Sequence, residues 1–310
     1  MSGIGSALMR AAMVALMALP LSACITPYPD LTQSRSPCRM EPGGWCDFVR
    51  DAAVEAYPYG MLSTNAYLDD DFYAALPMGF VAREAAENAD SGLAYSVFDR
   101  YAVEAGERGA MQARVIAFRG TDSGSSADFF YGSLGDSQRD GARAVYTAER
   151  AALDAQGDVA IPIELTGHSL GGALATQISI DNPGVRSVVF NTSPFFTGDP
   201  GMNDQNRMAI TERGEFLRAL RRLKAPPAAD AFIVNCNPSA STSEKHNIRD
   251  LTDCLIWIAA YTKPDAQRLL NADDRPVRKP EVECGPPDKV HPAISGVPSF
   301  PCPHAPVQSN

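Results

Sequence analysis

Apolar residues recur at helical spacing from Trp45 to about Tyr57 (Phe48, Val49, Ala52, Ala56), which predicts a helix. Between Gly92 and Ala105, Leu93, Tyr95, Val97 and Phe98 predict an outer strand or hairpin arm. Arg114–Phe118 is a short apolar run stopped by Arg119-Gly-Thr-Asp122 and has the form of a buried strand. A long helical stretch, Asp136–Ala155, ends near Gly157, a suitable C-terminal cap. Strand and helix then alternate three times: Ile161–Leu165 with Leu170–Ile180, Val185–Asn191 with Thr211–Leu223, and Ala231–Val234 with Ile248–Ala260. The second of these helices is opened by Thr211-Glu-Arg-Gly-Glu, and the third shows Ile248, Leu251, Leu255 and Ile258 on one face. This alternation implies right-handed crossovers and a mostly parallel sheet with helices on both faces, an α/β domain over residues 45–274.

The two ends of the chain break the pattern. Arg10 precedes an apolar run, Ala11–Pro20, too short to span a bilayer and followed by small residues, so residues 1–23 have the form of a signal peptide. Leu21-Ser-Ala-Cys24 resembles the lipobox of bacterial lipoproteins, which implies acylation of Cys24, a mature chain held at a membrane by that lipid, and a place in the bacterial cell envelope. Ile25 in place of Asp leans, by the same resemblance, towards the outer membrane. An ordinary secretory signal with an incidental cysteine is the competing reading. Residues 24–44 are polar and contain proline, as a tether would. Residues 275–310 hold nine prolines and two cysteines, too many prolines for a helix or a central strand, and predict an extended strap or a disordered tail.

Charge and cysteines narrow the partners. The 310-residue chain carries a net charge of −10 and no basic stripe, which argues against nucleic acid. Setting Cys24 aside leaves six of the seven cysteines, an even number suited to an exported chain. Proximity suggests the pairs 38–46, 236–254 and 284–302. No C-x-x-C occurs and the four histidines lack ligand spacing, so no metal and no cofactor is expected. Oligomeric state is not encoded in any of these features.

The chemistry concentrates at Ile161–Gln177, where a strand, the turn Gly167-His-Ser169-Leu-Gly171 and an apolar helix follow one another. That is how a serine is made to stand clear of a sheet edge as a nucleophile. Glycines at 167 and 171 let the chain pass close to itself. A serine nucleophile needs a base, and His246, His291 and His304 follow it. The last two lie in the proline-rich segment, whereas His246 lies in a strand-to-helix loop at the carboxyl edge where Ser169 stands. Backbone N–H groups of Leu170 and of Thr121, in the loop after Arg114–Phe118, would serve as oxyanion donors. Candidates for the acid that orients the base are Asp199, after the strand ending at Asn191, and Glu244, in the histidine loop. Asp230 falls at the wrong edge, and Asn235 or Asn237 could orient the imidazole instead. Phe129, Phe130 and Tyr131, with Phe195 and Phe196, would line an acyl pocket or form a lid, or else simply pack the loops.

Val115-Ile-Ala-Phe-Arg-Gly-Thr121, followed 46 residues later by Gly167-His-Ser-Leu-Gly-Gly172, resembles the class 3 lipase family of α/β-hydrolases, and Val188-Val-Phe-Asn-Thr-Ser-Pro194 is similar to the strand and turn that follow there. The resemblance covers roughly residues 90–262. It implies an α/β-hydrolase fold, an ester hydrolase acting on lipid or other acyl esters, Ser169 as nucleophile, and Thr121 and Leu170 at the oxyanion positions. The chain departs from the family where an aspartate should closely follow Phe232-Ile-Val-Asn235; Cys236–Glu244 holds none. The expectation is therefore a membrane-anchored serine ester hydrolase. The alternative is a catalytically weak or inactive hydrolase-fold lipoprotein that binds or braces.

Overall fold

Among the described residues seven strands form one sheet in sequential order, and this order dictates where the helices go. The computed structural model describes residues 38, 41, 45–68, 71–88, 91–120, 136–221, 226–270 and 276–281. In chain order the elements are α1 (Asp47–Asn65), β1 (Phe80–Asn88), β2 (Leu93–Glu104), β3 (Glu107–Phe118), α2 (Asp136–Ala155), β4 (Ile163–His168), α3 (Leu170–Asp181), β5 (Arg186–Phe190), β6 (Arg207–Glu212), α4 (Arg218–Arg221), β7 (Asp230–Val234), α5 (Ile248–Ala259) and α6 (Pro264–Leu269). β1, β2 and β3 pair antiparallel, and β3 through β7 pair parallel. Right-handed crossovers that always step to the next strand place every connecting helix on the same face. The opposite face must then be covered from outside the crossover region. α1, before the first strand, and α5, after the last, do this and pack on each other.

Side-chain alternation along the strands separates the two faces. Val115, Ala117, Val188, Phe190, Met208, Ile210 and Val234 join the core under α1 and α5. Their neighbours Ile116, Phe118, Leu165, Val189 and Ala209 join the core under α2 and α3. Each such aliphatic side chain taken fully out of water contributes about 1.5–3 kcal/mol. β4 carries polar residues on its α1 face, and α1 satisfies them. Tyr59 Oη donates to Glu164 Oε2 at 2.6 Å, and Ser63 Oγ and Thr166 Oγ1 share a 2.8 Å hydrogen bond. α3 is buried on all sides from Leu170 to Ile180, so it shows no polar face. The sheet order, the parallel strands and the helices on both faces make this an α/β-hydrolase fold.

Two elements differ from the sequence expectation, and a third, β1, is one for which the sequence reading held none. α1 continues through Pro58 to Asn65 instead of ending near Tyr57. An interior proline costs about 3 kcal/mol, and the second half of α1 offsets it by packing closely on α5. A Cβ on Gly60 would sit 2.7 Å from Thr252 Oγ1. β1 (Phe80–Asn88) is a strand despite the helix-favouring run Ala82-Arg-Glu-Ala-Ala-Glu87, because pairing with β2 outweighs local propensity. The stretch expected as helix Thr211–Leu223 begins as strand β6 and is helical only over Arg218–Arg221. β6 is buried along its whole length, charged ends included. Arg207 donates to the carbonyls of Pro200, Met202 and Pro227, and Glu212 accepts from the N–H groups of Cys236 and Asn237.

Cys38 is bonded to Cys46, at the start of α1, and Cys236 to Cys254, which ties the loop after β7 to α5. Closing a loop of the latter's 18-residue separation contributes about 3 kcal/mol in the chain-entropy model. Within the proline-rich segment, Val277 is buried in the α1/α5 core, Arg278 N–H donates to Asp253 Oδ2 and Glu281 N–H to Asn237 Oδ1. Cys24, Thr121, Phe129, Phe130, Tyr131, His291, His304 and the 284–302 cysteine pair lie outside the described residues. Among the described residues no helix is long and apolar enough to cross a membrane.

Candidate active site

Ser169 sits between β4 and α3 with φ 56° and ψ −121°, backbone angles that cost a non-glycine residue of order 1–3 kcal/mol. The turn is held by its own hydrogen bonds. Ser169 N–H donates to Phe190 O at 3.0 Å, and Ser169 O accepts from Ser193 N–H at 2.9 Å. The two flanking glycines have no room for a side chain: a Cβ on Gly167 would run into the Gly171 backbone, and one on Gly171 into the Phe118 carbonyl. Gly120, in the loop leaving β3, is packed the same way, 2.8 Å from His168 O and 3.1 Å from Ser169 Cβ as measured from a Cβ built on it. The Arg119-Gly120 loop therefore passes directly against the serine.

His246 ends a short 3-10 turn, Glu244–His246, just ahead of α5. Its Nε2 is 2.9 Å from Ser169 Oγ and its Nδ1 is 2.8 Å from Glu215 Oε2. Glu215 is fully buried and lies in the turn that leaves β6, where Gly214 has φ +87°. Its other oxygen is paired with Arg221, and Leu217 N–H donates to Oε2 at 2.9 Å. Arg221 in turn donates to Thr192 O at 2.6 Å, and burial lowers its pKa without costing it its charge. A carboxylate that accepts from Nδ1–H leaves Nε2 free of hydrogen, so the imidazole can take the serine proton. Chain order is serine, acid, histidine, the order of α/β-hydrolases.

No protein-family model and no curated protein matches the chain. Among solved structures, that of a triacylglycerol lipase from Penicillium expansum aligns with a TM-score of 0.38 and 13% identity, over 60% of this chain and 80% of that one.

Ser169 and His246 are brought together, and Leu170 occupies the first helical position after the serine, where backbone N–H groups lack intrahelical partners. Neither acid candidate reaches the imidazole. Asp199 is exposed and its Oδ1 accepts from Gly201 N–H at 2.9 Å. Glu244 is exposed, its Oε2 accepts from Ser241 N–H at 2.7 Å, and hydrogen bonds from Ser241 lower its pKa. His246 Nδ1 is taken by Glu215 instead. Asn237 spends its side-chain oxygen on Glu281 N–H. Glu215 is not legible as the acid in the sequence, because Thr211-Glu-Arg-Gly-Glu215 has the form of a helix start. The signal for it lay in the four residues Met208-Ala-Ile-Thr211, which fit a buried strand whose carboxyl end an acid closely follows.

Phe195 and Phe196 are half-buried in the loop after β5, while Phe216 lies on His246 with ring centroids 4.4 Å apart. Among the described residues no group of His, Cys, Asp and Glu is placed to hold a metal ion.

Beneath the site, burial pushes Glu212 up to about 7 against the opposing N–H bonds from Cys236 and Asn237. A raised folded-state value means the native chain binds the proton more tightly than the unfolded chain. Glu212 therefore makes stability fall as pH rises from about 4.5 to about 7. His168 acts in the opposite sense: burial, with help from His246, holds its pKa well below the usual imidazole value, so stability falls as pH drops below about 6.5. Glu212→Gln keeps an acceptor for the two N–H groups and removes only the first effect. Its urea midpoint should exceed that of the wild type at about pH 8 and draw level near pH 5. An equal offset at both pH values would show that Glu212 does not titrate in this window.

Proposed function

We propose that the protein is a serine ester hydrolase of lipase or esterase type that works through an acyl-enzyme on Ser169. The observation that carries this reading is the unbroken hydrogen-bonded series from Ser169 Oγ through His246 to Glu215, set on a strained strand-to-helix turn. Ser169 Oγ attacks the acyl carbonyl while His246 Nε2 accepts its proton. The tetrahedral oxyanion is met by Leu170 N–H, and the sequence resemblance names Thr121, outside the described residues, as the second donor. Collapse breaks the ester bond, and His246 returns the proton to the departing alkoxide. Water then repeats the sequence on the acyl-enzyme and releases the acid. Glu215 holds Nδ1–H throughout and stabilises the imidazolium.

The competing reading, a hydrolase-fold scaffold that only binds or braces, drew its support from the acid missing after β7. Glu215 supplies one from the turn after β6. Leu21-Ser-Ala-Cys24 supports a chain anchored through a lipid on Cys24 at a bacterial envelope membrane, facing lipid or other acyl-ester substrates. A panel of p-nitrophenyl esters of graded chain length, given to the purified mature protein, tests the activity. Turnover of at least one ester, with saturation, is expected. No turnover across the panel above that of buffer would remove the hydrolase reading.

A further inference from the structure

We propose that His168, the residue before the nucleophile, is a positioning residue that grips the main chain of His246 and so fixes the direction in which the base presents Nε2 to Ser169. The proposal rests on the serine-hydrolase reading above. His168 is the last residue of β4, and alternation along that strand turns its side chain to the α1/α5 face. There it meets the two segments that flank the site on that face: Tyr67, just past the end of α1, and the histidine turn that leads into α5.

Both ring nitrogens of His168 are engaged, and only one neutral tautomer satisfies both. Nε2 lies 2.7 Å from His246 O, and a carbonyl only accepts, so Nε2 carries the hydrogen. Nδ1 lies 2.6 Å from Tyr67 Oη and, lacking a hydrogen, accepts from the hydroxyl. Burial, His246 and Arg221 all disfavour a charge on His168, which keeps it in this neutral form. Neutrality also suits the chemistry, because the two imidazole centroids are 4.6 Å apart and a second cation would oppose the imidazolium forming on His246.

The grip has a clear mechanical purpose. The 3-10 turn spans three residues and is braced locally by Lys245 N–H to Ser241 O, His246 N–H to Ser243 O and Asn247 N–H to Glu244 O, and two further bonds tie its carbonyls to the sheet. Asn191 Nδ2 donates to the preceding carbonyl, Lys245 O, at 3.1 Å, and His168 holds the next one. The imidazole itself lies against His168 on one contact and Phe216 on another. A displacement of about 1 Å between reacting groups can cost about 10²-fold in rate. A histidine serving only to fill space would be replaceable by any side chain of like volume, and this gives the test its edge.

Three variants separate the roles. His168→Met fills the space but has no donor. His168→Gln carries an N–H at the reach of Nε2, and His168→Asn carries one that falls short. On the best ester of the panel, Met and Asn should lower kcat about 10²-fold with little change in KM, while Gln should recover most of the loss. Imidazole NMR gives a readout that does not need turnover: the far-downfield proton on His246 Nδ1, shared with Glu215, should persist in wild type and the Gln variant and broaden or vanish in the other two. Wild-type rate and resonance in the Met variant would overturn the proposal. So would a folded Gln variant as impaired as Asn, and that comparison decides the matter if the Met variant does not fold. A wild type that turns over no ester would sink the functional reading alone, with the resonance comparison still deciding whether His168 positions His246.

Discussion

Replacing Ser169 with alanine is expected to lower kcat for ester hydrolysis by about 10⁶-fold and to leave the fold intact. The size follows from how such assemblies behave: removing the nucleophile leaves only what substrate binding and oxyanion donors provide, a residual about 10³–10⁴-fold above water. The fold should survive because the turn is held by backbone bonds from Ser169 to Phe190 and Ser193, which alanine retains. The side chain contributes one hydrogen bond, to His246 Nε2, worth about 1 kcal/mol. Steady-state ester turnover beside a thermal melt separates loss of chemistry from loss of structure. Turnover within tenfold of wild type would assign the chemistry to another group.

Glu215→Gln carries the second largest expected effect, a fall of about 10⁴-fold in kcat. Glutamine can donate as well as accept, so it permits the tautomer with hydrogen on Nε2, which cannot take the serine proton. It also removes the charge that stabilises the imidazolium and leaves the buried Arg221 cation without its carboxylate. Asp199→Asn and Glu244→Gln should keep activity within about twofold, since both carboxylates lie at the surface and bond to near neighbours, Gly201 and Ser241. Assay of the three variants on one ester assigns the acid. Full activity in Glu215→Gln together with loss in either of the others would reverse the assignment.

The sequence carried the nucleophile turn and the histidine loop because each rests on local chemistry. Gly167 and Gly171 are small for a reason visible over five residues, and His246 stands between an apolar strand and an amphipathic helix. The acid was less legible because its position depends on β6, a strand disguised by charge. Arg207 and Glu212 sit at its ends and are buried only because carbonyls around residues 200–227 and the N–H groups after β7 meet them. All of those partners lie outside the strand itself, and those of Glu212 are 24 and 25 residues on, so the run resembles an exposed helix start. α1 runs longer than its local sequence signals for a related reason. Pro58 is a local stop signal, and the contacts that override it, Gly60 on Thr252 and Ser63 on Thr166, come from elements about 100 or more residues away. Short-range signals marked the groups that do chemistry; the group that orients them is set by tertiary pairing.

The most direct test of the central claim is the covalent reaction of the wild-type protein with a fluorophosphonate, followed by intact-mass and peptide mass spectrometry. Phosphonylation needs a serine whose proton an adjacent base can take, and it does not require knowing the natural ester. A single adduct per chain is predicted, on the peptide containing Ser169, formed far more slowly in His246→Ala and absent in Ser169→Ala. An unmodified wild-type protein, or an adduct that persists undiminished in Ser169→Ala, would contradict the account.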